Sequence, residues 1–212
     1  MPIDDEFLLN ANRDQAGSEV DSFTAERYRQ FEQFLPKSVL RVLDVGGGVG
    51  RGGAELKRLR PELSLAGVDC VPERVGAMHK EIYDEAVCAF ANDMPFENGS
   101  YDAIIAGEFI EHVPGHLVDP TLQEFFRVLT LKGKLLLTTP NPHYLRNKLQ
   151  GLSVISEPSH VSQHYPEVLR LRLKMAGFSQ VAIRGSGKVS RFVGTWAPLP
   201  LYGSYLCVAT KW

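Results

Sequence analysis

At 212 residues, with 44% hydrophobic and 23% charged side chains, the chain has enough apolar surface for one domain built on a two-faced sheet. A net charge of −2 lacks the Lys and Arg excess on which phosphate-backbone affinity rests, which argues against a dedicated nucleic-acid binder. No apolar run approaches a membrane span, and the acidic start Met1-Pro2-Ile3-Asp4-Asp5-Glu6 lacks the features of a signal peptide, so the expected compartment is the cytosol.

Taken in chain order, residues 1–17 are polar and read as loose. Tyr28, Phe31 and Leu35 recur at helical spacing from Asp21 to Leu35, with Ser22 as the expected cap and Pro36 as the stop. Val39–Val45 is the first strand, and a helix from Gly50 to Leu59 follows a glycine turn. Leu63–Val68 reads as a second strand ending at Asp69, and Pro72 opens a helix to about Lys80. Ala86–Phe90, Tyr101–Ala106 and Lys134–Thr139 are further strands. Between the last two, Leu122, Phe125, Phe126 and Leu129 mark a helix over Asp119–Thr130, closed by Lys132-Gly133. Residues 140–163, with three prolines, form an excursion; a helix begins at Pro166 and ends at Gly177; Phe178–Ile183 and Tyr205–Thr210 are the last strands.

Alternating strands and helices imply a mainly parallel sheet covered on both faces, in one domain. In such sheets ligands bind beyond the carboxyl ends of the strands. The first of those ends is Val42-Leu43-Asp44-Val45-Gly46-Gly47-Gly48-Val49-Gly50, where bare backbone turns into a helix and can lie against a ligand. Gly48-Val49-Gly50-Arg51-Gly52-Gly53 also fits the dinucleotide pattern, with Asp69 at a ribose-binding distance, which keeps a nicotinamide-dependent oxidoreductase open. A carboxylate at Asp44 suits a pyrophosphate poorly and a sulfonium- and ammonium-bearing cofactor well.

Asp44-Val45-Gly46-Gly47-Gly48-Val49-Gly50 resembles motif I of the class I S-adenosylmethionine-dependent methyltransferases. The resemblance continues in order through Gly67-Val68-Asp69, Asn92-Asp93-Met94-Pro95-Phe96, Tyr101–Ala106 followed by Glu108-Phe109-Ile110-Glu111-His112-Val113, the Leu129–Pro140 turn and strand, and Ala176-Gly177-Phe178. It covers residues 38–183 and is closest to the small-molecule subgroup with E-H-V or E-H-L after strand four. It implies a three-layer α/β, Rossmann-like fold with seven strands in the order 3-2-1-4-5-7-6, strand 7 antiparallel, in a single domain over 1–212. Residues 1–36 would form an N-terminal helical cap and 140–165 an acceptor lid. It further implies S-adenosyl-L-methionine as cofactor, with Asp44, Gly46, Gly48, Gly50, Asp69, Cys70, Asp93, Met94 and Glu108 around it. Asp69 would hold the ribose hydroxyls and Asp93 the adenine amine.

Methyl transfer is an in-line displacement in which the enzyme positions the acceptor, excludes water and, for a hydroxyl, takes a proton. Histidine suits that task. His112 after strand four, and His160 and His164 in the excursion, are the catalytic candidates, with Gln163 and Tyr165 beside them and Asn141 and His143 after strand five. Each has a plainer reading as a cap or loop residue; His79 and His116 are expected on the surface. Arg51 and Tyr28 could reach the cofactor or simply pack. Trp196, Tyr202 and Tyr205 could stack on a sugar or complete a core. Cys70, Cys88 and Cys207 show no disulfide or metal spacing, and metal-independent chemistry is expected. The expected acceptor is a small or carrier-linked hydroxyl compound, a glycan among them. An N- or C-methyltransferase and a non-catalytic cofactor-binding subunit remain as alternatives.

Overall fold

The computed structural model describes residues 9, 10, 12, 13 and 22–212, so most of the stretch expected to be loose, and the expected helix start at Asp21, lie outside the described residues. Leu9, Asn10, Asn12 and Arg13 are in helical turns, against the expectation for that region.

Seven strands form one sheet: β1 (Arg41–Val45), β2 (Ser64–Asp69), β3 (Glu85–Cys88), β4 (Tyr101–Gly107), β5 (Leu129–Pro140), β6 (Phe178–Ser186) and β7 (Ser204–Lys211). Their order is β3-β2-β1-β4-β5-β7-β6, with β7 antiparallel to both neighbours and the remaining pairs parallel. The helices are α1 (Thr24–Glu32), α2 (Arg51–Leu59), α3 (Pro72–Ala77), α4 (Val118–Val128), α5 (Leu145–Leu149), α6 (Pro166–Met175) and α7 (Ser190–Val193).

The pleat sorts the strand residues into two cores. Val42, Leu65, Ala103, Ile105, Leu136 and Leu206 pack with Tyr28, Phe31 and Leu56 of α1 and α2. Their neighbours Leu43, Val68, Ile104, Leu135 and Cys207 face the other way, onto Leu122 and Phe125 of α4 and Leu169 and Leu173 of α6. Strands with apolar residues on both faces need helices on both, and the sequence supplies them.

Four boundaries differ from the sequence reading. Phe23, not Ser22, occupies the N-cap of α1, with no side-chain bond. Helix α3 stops at Ala77, where Met78 leaves the helix in extended conformation and drops into the core. Lys132-Gly133 does not end α4; β5 starts at Leu129, and Lys132 (φ 66°) makes a kink within that strand. The 140–163 excursion contains α5 and a 3-10 turn at Val154–Ser156.

Candidate functional site

A cavity of about 790 Å³ opens at the carboxyl ends of β1, β2 and β4, where the strand order reverses. Its floor is the glycine turn. Gly46 (φ 69°) and Gly48 (φ 56°) adopt left-handed backbone that side-chain-bearing residues rarely enter, and a Cβ on Gly46 would sit 2.6 Å from the Phe109 ring. The Gly46 N–H donates to Val68 O at 2.8 Å, tying the turn to β2.

At the end of β2, buried Asp69 braces this turn. Its Oδ2 accepts the Gly48 N–H at 3.1 Å and its Oδ1 the Val71 N–H at 3.0 Å, while an Arg74 guanidinium nitrogen lies 3.8 Å away. Burial raises its pKa from the ordinary value, offset in part by those amides and Arg74. Asp69 and Cys70 both line the cavity. The Cys70 thiol, pushed up to about 11 by burial, stays protonated at neutral pH.

Four of the expected cofactor residues stand elsewhere. Asp44 is fully buried behind the turn and is not a wall residue. The Tyr28 hydroxyl donates to its Oδ1 and the Tyr83 hydroxyl to its Oδ2, both at 2.6 Å. Burial pushes its pKa up to about 6 despite those two bonds. Asp93 lies exposed on the surface, and Met94 turns into the core while its amide donates to Glu124 Oε1 at 2.8 Å. Ala89, Phe90, Ala91 and Asn92 line the cavity in their place. Gly50 caps α2 from behind the wall, in left-handed conformation (φ 86°).

Across from the turn, β4 ends in Gly107, Glu108 and Phe109, all on the wall. Glu108 also has positive φ (50°), a strain found where a chain is held for function. Its Oε2 accepts from the Ser204 hydroxyl at 3.1 Å, and Arg27 Nε lies 3.7 Å from its Oε1. Glu111, fully buried, accepts the Thr139 hydroxyl on Oε2 at 2.9 Å; its Oε1 has no hydrogen-bond partner among the described residues. Burial first, and Glu108 second, raise its pKa well above the ordinary carboxylate value.

The excursion is pinned to this corner. The Val161 and Ser162 amides donate to Glu111 O at 2.9 and 3.0 Å. His112 Nδ1 lies 2.9 Å from Ser159 O and His160 Nδ1 2.8 Å from Val154 O, so each Nδ1 faces a carbonyl that can only accept. The two rings meet edge to face, centroids 5.0 Å apart, and both line the cavity. Burial lowers the His112 pKa to about 4, so the ring is neutral at pH 7. Glu111, His112 and His160 bring potential ligand atoms within 4.8 Å of one another, the one such grouping among the described residues. Local spacing could not show this trio, because 48 positions separate His160 from His112. The trio could hold a divalent cation as well as a proton.

His164 is not on the wall. It is buried, with Nε2 at 2.8 Å from Ser162 Oγ and 3.1 Å from Ile110 O, and its carbonyl accepts the Tyr205 hydroxyl. Its role is to lock the excursion against the sheet. Burial lowers its pKa to about 4, below the ordinary 6.5, so the stability it contributes is complete above pH 6.5 and lost as the pH falls toward 4. Between pH 7.5 and pH 5 this residue should cost about 2 kcal/mol. His164→Gln should remove that part of the pH dependence, read by urea unfolding at the two pH values; parallel losses in both proteins would refute the assignment.

Other candidates are placed as plainer readings. Asn141 is buried and bonds Leu199 O and Tyr202 O; His143 pairs with Glu167 at 3.4 Å near the surface; neither lines the cavity. Gln163 accepts the Val154 amide, and Tyr165 packs on His143. Tyr202 and Tyr205 complete the core, whereas Trp196 is exposed under Arg184. Arg51 and Tyr28 line the cavity; His79 and His116 are exposed. Arg27, Arg74, Tyr83 and Phe109 carry no individual signal in the sequence, whereas Glu157, Pro158 and Ser159 fall within the 140–165 stretch expected as acceptor lid.

The methyltransferase-domain family model matches residues 19–183. The chain belongs to this family. Its fold is that of the class I S-adenosylmethionine-dependent methyltransferases: a structure of a SAM dependent methyltransferase from Archaeoglobus fulgidus superposes with a TM-score of 0.71 at 20% identity, covering 97% of this chain and 99% of that one. Among curated proteins, malonyl-[acyl-carrier protein] O-methyltransferase of Laribacter hongkongensis is 29% identical over 135 residues, 58% of this chain and 45% of the relative. Mitochondrial ubiquinone biosynthesis O-methyltransferase of Mus musculus is 29% identical over 178 residues, 76% of this chain and 47% of the relative. The chain thus spans about half the length of the curated relatives it matches. Among the described residues no helix is long and apolar enough to cross a membrane.

Proposed function

We propose that this chain transfers the methyl group of S-adenosyl-L-methionine to a hydroxyl of a small or carrier-linked acceptor. The observation that carries the reading is the pair of histidines, His112 and His160, on the cavity wall with each Nδ1 against a backbone carbonyl. Asp69 and the Gly46–Gly48 turn would seat the adenosine, with Asp69 taking the ribose hydroxyls. Glu108, Arg27 and Arg51 would surround the amino-acid end. The acceptor would enter between Phe109 and the Glu157–His160 wall. There its hydroxyl proton can pass to one of the imidazoles as the methyl moves in line from sulfur to oxygen. The expulsion of water by the 140–165 excursion, acting as acceptor lid, would hold the two reactants at attack distance. The O-methyltransferase names of the two curated relatives support an oxygen acceptor and, through the acyl-carrier relative, a carrier-linked one. A glycan remains within the same hydroxyl chemistry. The three unpaired thiols agree with a reducing, cytosolic setting.

Calorimetric titration with S-adenosylhomocysteine and with NADH, followed by an acceptor panel under labelled S-adenosylmethionine, tests the reading. Binding of the former alone and labelled O-methyl product are expected; NADH binding alone would overturn it. With an acceptor found, His112→Ala and His160→Ala should each lower kcat by about 10²–10⁴ if that ring takes the proton, with S-adenosylhomocysteine affinity within threefold of the parent. Unchanged kcat in both would leave the chemistry without a base and favour a nitrogen or carbon acceptor.

A further inference from the structure

The charge of this chain is unevenly distributed. After Glu167 come seven Lys and Arg and no Asp or Glu, while the preceding residues hold 16 basic against 25 acidic. Residues 141–156 likewise include Arg146 and Lys148 and no carboxylate. These two carboxylate-free segments meet in space: a shallow groove is lined by Leu145, Arg146 and Leu149 of α5 and by Pro200 and Leu201 of the β6–β7 connection. The same connection carries Phe192 and Trp196. Phe192 is 87% exposed, Leu149 79% and Trp196 74%.

We propose that this face docks on a bilayer surface bearing anionic lipid headgroups. Three arguments select that occupant. First, the large apolar side chains protrude, and the same two segments carry Arg146, Lys148 and Lys188, all exposed. Protruding apolar groups on segments that also carry cations suit a headgroup boundary, which accepts them without a matching shape. Second, a two-fold contact between copies through this face would set cation against cation, which disfavours self-association there. Third, Arg191 is held by Glu26 at 3.4 Å and Arg184 lies 3.8 Å over the Trp196 ring, so local contacts fix the connection with its apolar tip outward. Residues 150–156 lead from α5 to the Glu157–His160 wall of the cavity. The docked face and that wall therefore share one segment of chain, the excursion after β5.

Flotation of the full chain with phosphatidylcholine vesicles containing phosphatidylglycerol, against phosphatidylcholine alone, tests this at low and high salt. Partition only into the anionic vesicles, weakened by salt, is expected. Arg146→Gln/Lys148→Gln/Lys188→Gln should lower partition roughly a hundredfold, at about fivefold per charge. Phe192→Ser/Trp196→Ser should lower it at least tenfold. All five positions lie outside the cavity, so melting temperature and S-adenosylhomocysteine affinity should match the parent and show that both variants fold. No partition, equal partition into neutral vesicles, or full partition by the triple variant would overturn the proposal. So would a dimer in sedimentation equilibrium that Phe192→Ser/Trp196→Ser dissolves, which would assign the face to a second copy.

Discussion

Asp69→Ala should weaken S-adenosylhomocysteine binding by about a hundredfold or more. Two losses add at this residue. The carboxylate proposed to receive the ribose hydroxyls disappears, leaving them buried and unpaired at about 1–3 kcal/mol. The Gly48 and Val71 amides also lose their acceptor, and the Arg74 guanidinium a carboxylate 3.8 Å away, so the turn that forms the cavity floor keeps its Gly46–Val68 backbone bond to β2 but loses the Asp69 brace. Asp69→Asn keeps the shape and one acceptor oxygen, and should fall between the parent and Asp69→Ala. Titration calorimetry on all three gives the ranking. Equal affinities would mean that the adenosine does not sit over Asp69, and the placement of the cofactor would fail with it.

Asp69 was legible from the sequence because its signal is local: an acid ending a second strand some 20 residues after a glycine turn. The same holds for Gly46, Gly48 and Glu108, each at the end of a strand whose apolar run is plain. Asp93 and Met94 read equally well in the motif but lie off the cavity wall. Their loop folds so that Glu124 of α4 takes the Met94 amide and Arg127 takes the Met94 carbonyl. That pairing joins residues 30 and more positions apart, and no window of sequence contains it. The histidines divide for the same reason. His112 and His160 line the cavity while His164 supports it, and what separates them is which backbone carbonyl each ring meets. Both helical layers are expected from the periodicity and the strand order from the family resemblance; the kink at Lys132 and the short α5 and α7 are not.

Asp44 shows where a charge argument from sequence goes astray. From sequence alone, an acid beside the glycines reads as a negative charge offered to a cationic cofactor. In the fold it is screened from the cavity by the turn itself, accepts two tyrosine hydroxyls and has a pKa pushed up to about 6. Its part is to tie three elements together: β1 through its own backbone, α1 through Tyr28 and the β3 approach through Tyr83. The preference for a cofactor without a pyrophosphate has to rest on the fold and family instead.

That clamp explains the second large effect expected, at Gly52. A Cβ on this residue of α2 would lie 2.0 Å from a Tyr28 ring carbon, with two more ring carbons at 2.1 and 2.6 Å. The ring cannot give way by a few tenths of an ångström, so Gly52→Ala should expel it. Overpacking costs about 1–3 kcal/mol and the orphaned Asp44 oxygen about 1–3 more, against a gain under about 1 kcal/mol from helix propensity. A net loss of about 2–4 kcal/mol in urea unfolding is expected. Tyr28→Ala alone should cost about 3–5 kcal/mol as a buried aromatic truncation. The two costs should not add, because removing the ring makes room for the methyl. Gly52→Ala/Tyr28→Ala should then be about as stable as Tyr28→Ala, a coupling of about 2–4 kcal/mol between residues on different helices. Strict additivity would show that the ring does not lie over Gly52, and that α1 is not fastened to the glycine turn through Asp44.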